Sequence, residues 1–204
     1  MKTNYFTYYH PFAIFFLIGL YLGGLIYVQQ FHWTYPFLGL GITILLLETI
    51  DKWLWKYPPF SWLFLIKDFS GTYKGNQECF IIEKVDGECE INMIYIIAEM
   101  EIVQTGSSIT VNAIYRRKKK KTSSSFSNLC MLTKTKDKKH FQLVYHYTNE
   151  GSGAEGLDKH SGTCFLTVRK KKGQYFLDGN YYTNRQPYPT RGNFQSLEKI
   201  KNKN

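Results

Sequence analysis

Phe12 to Val28 (FAIFFLIGLYLGGLIYV) is an unbroken apolar run of 17 residues, enough helix to cover most of a hydrocarbon core roughly 30 Å thick. The run stops at QQFHWTYP, where polar Gln29, Gln30 and Thr34 among aromatics suited to an interface predict a short loop. Pro36 fits the first turn of a second helix, which the pattern carries to about Trp55. Glu48, Asp51, Lys52 and Lys56 fall in its last third, where long side chains can reach headgroups and Glu48 can pair with Lys52 one turn on. Residues 1–67 therefore read as two membrane helices, about 12–28 and 36–55, plus a short interfacial connector, Trp62 to Phe69.

From residue 68 the period changes. Alternating or β-branched runs recur as GTYKG, CFIIEKV, CEINMIYIIAEMEIV, SITVNAIYRR, FSNLCMLTK, HFQLVYHYT, GTCFLTVRK, QYFLDGNYYT and NFQSLEKI, separated by turn signals such as TGSS, KDKK and KKG. No helical stretch of comparable length supplies parallel crossovers. Residues 68–204 are expected to form an antiparallel meander of about eight or nine strands, closed into a roughly eight-stranded barrel that leaves no edge exposed.

Period two assigns faces. Leu177, Gly179, Tyr181, Thr183 and Arg185 share one face of their strand, and Phe141, Leu143, Tyr145 and Tyr147 one face of theirs. Each face is apolar at one end and polar-aromatic at the other. That is the pattern of a barrel packed at one mouth and binding at the other; a tyrosine-rich core with hydroxyls reaching the surface fits it equally.

Charge sharpens the division. The 204-residue chain carries a net charge of +10, yet no Asp, Glu, Lys or Arg lies between Lys2 and Glu48, whereas 22 basic and 14 acidic side chains follow from Asp68 onward. No small-x-small cleavage site follows Val28, so a retained hairpin is expected rather than a signal peptide. Lys2 before the first helix and Lys52, Lys56 and Lys67 after the second predict that both termini and the barrel are cytoplasmic. Cys79, Cys89, Cys130 and Cys164 have no CxxC spacing and read as reduced packing residues.

Several local motifs carry less than their letters suggest. GSGAEG (Gly151 to Gly156) is followed by loop and strand, not the helix a dinucleotide fingerprint needs. RRKKKK (Arg116 to Lys121) is suited to anionic headgroups or phosphates, or to a solvated hairpin end, and no DNA- or RNA-reading module accompanies it. DKHS (Asp158 to Ser161) lacks the GxSxG elbow of a hydrolase, so catalysis is not expected. Gly19 and Gly23 form GxxxG, a spacing that lets helices approach closely in lipid.

Taken in order, GTYKG (Gly71 to Gly75), IVQTGSSITV (Ile102 to Val111), the serine run near Ser123 to Ser127, LVYHYTNEG (Leu143 to Gly151), HSGTCFLTV (His160 to Val168) and LDGNYYTNR (Leu177 to Arg185), behind two apolar helices, resemble a known family. These are the two-transmembrane β-barrel effectors of bacterial CBASS anti-phage defence, CD-NTase-associated protein fifteen. The resemblance implies a barrel that senses a cyclic dinucleotide made by a partner cyclase. Binding would drive homo-oligomerisation of the helices through Gly19 and Gly23, damage to the lipid bilayer of the inner membrane, and death of the infected cell. Arg185 and Thr183, with Arg191 nearby, would hold phosphate, and Tyr73, Tyr145, Tyr147 and Tyr181 would stack on bases. No cofactor, metal or nucleic acid polymer is implied. Two other classes remain open. A lipocalin-like carrier would be lined by aliphatic and Phe side chains without any need for Arg185, and an adaptor docking a protein through the basic hairpin would have a filled barrel.

Overall fold

A computed structural model of the chain describes residues 6–30, 36–85, 88–117, 120–152, 157–186 and 188–200. Most of the predicted loop QQFHWTYP, the charge at Lys2 and the centre of GSGAEG lie outside them. Two compact units emerge: residues 1–68 with the turn 104–108, and residues 69–103 with 109–204.

The first unit holds two helices, α1 (Pro11–Gln30) and α2 (Pro36–Thr49), each with proline at its first position, where the missing N–H costs no hydrogen bond. The expectation of two membrane spans is not met among the described residues. Among the described residues no helix is long and apolar enough to cross a membrane. In α2 the regular α-helix ends after 14 residues, about 21 Å at 1.5 Å per residue, and continues as a π-helix, Ile50–Leu54. Asp51 lies at this change of geometry. Instead of reaching outward, it is buried, its Oδ2 accepts a hydrogen bond of 2.8 Å from the Ser107 hydroxyl, and its backbone oxygen accepts one of 2.9 Å from Gly106 N. The expected Glu48–Lys52 pair is present at 3.8 Å. A small aromatic cluster of Tyr9, Trp55 and Phe64 packs beside a 3₁₀ turn, Phe60–Leu63, while Phe12, Phe15, Leu22 and Ile26 remain exposed.

The second unit is the expected barrel. Eight antiparallel strands follow in sequence order: β1 (Gly71–Val85), β2 (Glu88–Gln104), β3 (Ile109–Arg117), β4 (Lys120–Lys134), β5 (Phe141–Asn149), β6 (His160–Lys171), β7 (Gln174–Thr183) and β8 (Arg191–Lys199). GTYKG and CFIIEKV join in the single long strand β1. Pairing of β1 with β8, from Tyr73↔Lys199 to Phe80↔Arg191, closes the sheet.

Alternation then sorts side chains into lumen and surface. On the lumen side the half of the barrel where β1 begins is packed solid: Tyr73, Met100, Leu143, Leu166, Leu177 and Leu197 have no exposed surface. Tyr73 faces Met100 across β1–β2, Leu143 faces Leu166 across β5–β6, and Leu177 faces Leu197 across β7–β8. The Phe69 ring meets Phe141 and Tyr175 edge-on at 5.0 and 5.1 Å, and its carbonyl accepts a 2.9 Å hydrogen bond from the Tyr73 hydroxyl, so this end is plugged. Each buried leucine contributes about 1.5–3 kcal/mol of transfer free energy. Leu166→Ala in the full chain is expected to lower unfolding free energy by about 2–5 kcal/mol, whereas Leu129→Ala, on an exposed outward position, should stay within about 0.5 kcal/mol. Urea titration followed by tryptophan fluorescence and circular dichroism measures both; equal effects would contradict the packed half described here.

Candidate functional site

At the other end of the lumen, where β1, β3, β5 and β7 end, the side chains stop filling the barrel and leave a cavity of about 340 Å³, within the range of small-molecule sites. Its wall changes character with depth. Cys79, Ile81, Ile94 and Ile96 from β1 and β2 give one apolar side. Tyr115, Tyr147 and Tyr181, from alternate strands, give an aromatic side, and Arg117, His160, Arg185 and Thr190 contribute the polar groups of its rim.

Two glycines make the aromatic wall possible. A Cβ at Gly162 would lie 2.5 Å from the Tyr147 ring and hydroxyl, and one at Gly192 would lie 2.7 Å from the Tyr181 ring and 1.8 Å from the Glu78 carbonyl oxygen. Gly162 pairs with Tyr147 across β5–β6, and Gly192 with Tyr181 across β7–β8. Each ring therefore lies over its cross-strand glycine.

Hydrogen bonds fix the polar wall. The Thr183 Oγ1 accepts from Thr190 N at 3.0 Å and from Arg185 N at 3.4 Å, which uses both lone pairs. Its own proton therefore goes to Thr190 Oγ1, 2.8 Å away, leaving the Thr190 hydroxyl proton as the free donor. Thr183 is thus a clamp on the loop that carries Arg185, and Thr190 is the group presented. Asn149 donates to Ser123 Oγ at 3.2 Å and accepts from Gly151 N at 2.8 Å. His160 donates from Nδ1 to the Asp158 carbonyl at 2.8 Å, so its neutral ring turns an acceptor, Nε2, to other partners. Among the described residues no carboxylate forms an ion pair with Arg185.

Burial sets the protonation of this wall. It pushes the Cys79 thiol from 9.0 up to about 11, partly offset by a hydrogen bond from Tyr181. Burial also raises the Tyr115, Tyr147 and Tyr181 hydroxyls well above the usual phenol range, with unfavourable interactions among their neighbours added. At neutral pH all are uncharged, so the cavity offers neutral rings and donors beside the guanidinium groups of Arg117 and Arg185.

The structure brings Tyr147, Tyr181, Thr183 and Arg185 of the sequence candidates to the cavity. Tyr73 and Tyr145 are corrected: they have the right parity but the wrong depth. Tyr73 sits in the plugged half, and Tyr145 is buried with its hydroxyl 3.7 Å from the Met100 sulfur. Arg191 is corrected too. It lies on the outer face opposite Tyr182, next to a shallow hollow with Phe80 and Asn193. Of the other polar groups in LDGNYYTNR, Asp178 accepts from Ser196 N at 2.8 Å and Asn184 from Ser161 N at 2.8 Å. These are scaffold bonds. Sequence reasoning missed Gln77, Tyr115, Arg117, Asn149, His160 and Thr190. For the five on strands, Gln77, Tyr115, Arg117, Asn149 and His160, the signal was available as lumen parity at the polar ends; for Thr190 there was none, because its role depends on a fold-back onto Thr183. Among the described residues no group of three or more His, Cys, Asp or Glu could hold a metal ion.

A closed eight-stranded barrel, plugged at one end and opening at the other into a cationic, tyrosine-walled cavity, defines a small-ligand-binding barrel. The family model for the Cap15 cyclic dinucleotide receptor domain matches residues 65–197, more than half of the chain, and the chain belongs to that family. No curated protein and no solved structure matches it.

The raised thiols give a signed pH dependence. Between 9.0 and about 11 for Cys79, and up to about 12 for Cys164, the unfolded chain loses its thiol proton before the folded one does. The folded state then binds more protons, so stability present below pH 9 is lost as pH rises through this window. The melting temperature of the full chain is expected to fall from pH 9 to pH 11, and less steeply in Cys79→Ser; a flat profile in both would contradict the burial of these thiols.

Proposed function

We propose that the barrel is the receptor of a cyclic dinucleotide and that the N-terminal helices are the effector of a bacterial anti-phage (CBASS) response at the inner membrane. The observation that carries this reading is the cavity itself, which lies in the domain matched to the Cap15 cyclic dinucleotide receptor family and combines aromatic faces with guanidinium groups. Such a ligand presents two anionic phosphates and two flat bases. Arg185 and Arg117 suit the phosphates, with about 1.5–3 kcal/mol for each charge-assisted hydrogen bond, and the Thr190 hydroxyl adds a neutral donor. Tyr147 and Tyr181 suit the bases, with stacking on the order of 1–3 kcal/mol each by analogy with single-strand binders. The polar lining argues against a carrier of apolar ligands, and the cavity argues against an adaptor with a filled barrel.

The ligand would come from a partner cyclase on the cytoplasmic side, where the barrel and both termini would lie. Exposed Phe12, Phe15, Leu22 and Ile26 on α1 suit contact with the lipid bilayer. Gly19 and Gly23 suit homo-oligomerisation, because a Cβ at either would meet no atom of the described residues within 4 Å, and small residues at this spacing let another helix approach. Catalysis has no part in this reading.

Two substitutions separate sensing from action. Arg185→Ala is expected to weaken cyclic dinucleotide binding at least tenfold, since one lost charge-assisted contact exceeds about 1.4 kcal/mol, with little change in melting temperature. Calorimetry giving wild-type affinity would remove Arg185 from the site. Gly23→Leu enters open space in the protomer, so expression and nucleotide binding should persist while ligand-dependent cross-linking and toxicity are lost. Wild-type toxicity of Gly23→Leu in cells with active cyclase would remove this face from assembly and leave the receptor reading intact.

A further inference from the structure

Gln77 is a strong polar side chain that β1 sends into the lumen, between Gly75 and Cys79, and it is only 4% exposed. A buried amide there must place both a donor and an acceptor. On one side lies the Tyr181 hydroxyl, close enough for the Gln77 amide N–H to favour its oxygen. Nitrogen toward Tyr181 turns the amide oxygen the other way. That oxygen, Oε1, is buried and has no hydrogen-bond partner among the described residues, while the residue itself lines the cavity.

An unpaired buried acceptor destabilises the unliganded barrel, because its desolvation is not repaid. It becomes favourable when a ligand brings an N–H. At the rim His160 offers an acceptor, while Arg117, Arg185 and Thr190 are donors and suit phosphate oxygens. Gln77 has the opposite polarity and sits on a buried stretch of strand beside the aromatic wall. Phosphate oxygens, which only accept, have nothing to offer it; the edge of a nucleobase does.

We propose that Gln77 is a base-reading residue of the cavity, its Oε1 accepting a hydrogen bond from an N–H on the edge of the inward base. This rests on the cyclic dinucleotide reading above and adds a rule of specificity to it: a base presenting no N–H on that edge is discriminated against.

The test uses the full chain and a panel of cyclic dinucleotides containing adenine, guanine, cytosine or uracil. Each is paired with an analogue lacking N–H on the pairing edge: purine, N1-methylhypoxanthine, 2-pyrimidinone and N3-methyluracil. For the tightest-binding member, wild type is expected to bind the analogue at least tenfold more weakly than the parent. Gln77→Met is expected to bind the parent at least tenfold more weakly and to distinguish parent from analogue by less than twofold. Its melting temperature without ligand should be unchanged or raised, because an orphan acceptor has been removed, whereas a purely structural glutamine predicts a fall. Equal discrimination by wild type and Gln77→Met, or parent affinity unchanged in the variant, overturns the base-reading role. Wild-type discrimination against the analogue stands as a separate measurement if the variant fails to fold, and its absence is equally fatal. If wild type binds no member of the panel, the receptor reading fails and takes the inference with it.

Discussion

Closure of the sheet by the β1–β8 pairing is the constraint on which the rest of the barrel depends. Once closed, every second residue must enter a lumen that eight strands make just wide enough to be filled by side chains or to hold one small ligand. This chain does both along one axis. Leucine, methionine and Tyr73 fill one half, and the same parity a few residues further along the strands brings Gln77, Tyr147, Tyr181 and Thr183 into the open half. A packed half is what makes an unpacked half tolerable, since the cavity forfeits dispersion contacts and burial that the leucine layers retain.

The chemistry of the open half follows from which groups are buried and which are not. Phenols and thiols deep in the wall are held neutral by desolvation, with Cys79 pushed up to about 11. They cannot add negative charge that would repel an anion. The guanidinium groups sit at the ends of strands and on the loop after β7, where solvent keeps them charged before a ligand arrives. Neutral flat surfaces inside and positive charge at the rim match a molecule whose bases are central to recognition and whose phosphates are charged. The glycines at 162 and 192 serve this arrangement sterically, because rings as large as Tyr147 and Tyr181 can lie across the neighbouring strand only where that strand has no side chain.

Much of the barrel was legible in the residues alone. The alternation in QYFLDGNYYT and HFQLVYHYT placed Leu177, Tyr181, Leu143 and Tyr147 on the lumen face because strand periodicity is set by local geometry. Depth was not legible. Tyr145 and Tyr147 have the same parity and the same residue type, yet one lies under the packed layers and the other lines the cavity, a difference made by what the neighbouring strands contribute at each level. The N-terminal segment shows the same limit in another form. Its apolar composition announced helices, and helices formed, but the change from α to π geometry at Ile50 accompanies a distant hydrogen bond from Ser107 to Asp51 that no local pattern contains.

By itself, then, the sequence determined two things about this protein: that its first part forms two apolar helices, read at about 12–28 and 36–55, and that from about residue 68 the strands alternate into an antiparallel barrel. Both depend on interactions between residues two to four apart. Only the tertiary structure decided that Arg191 lies outside, that Thr183 clamps and Thr190 presents, and that the Gln77 oxygen is left buried without a partner among the described residues. Those outcomes depend on strand register and on contacts between residues far apart in the chain, where a one-residue shift exchanges lumen for surface.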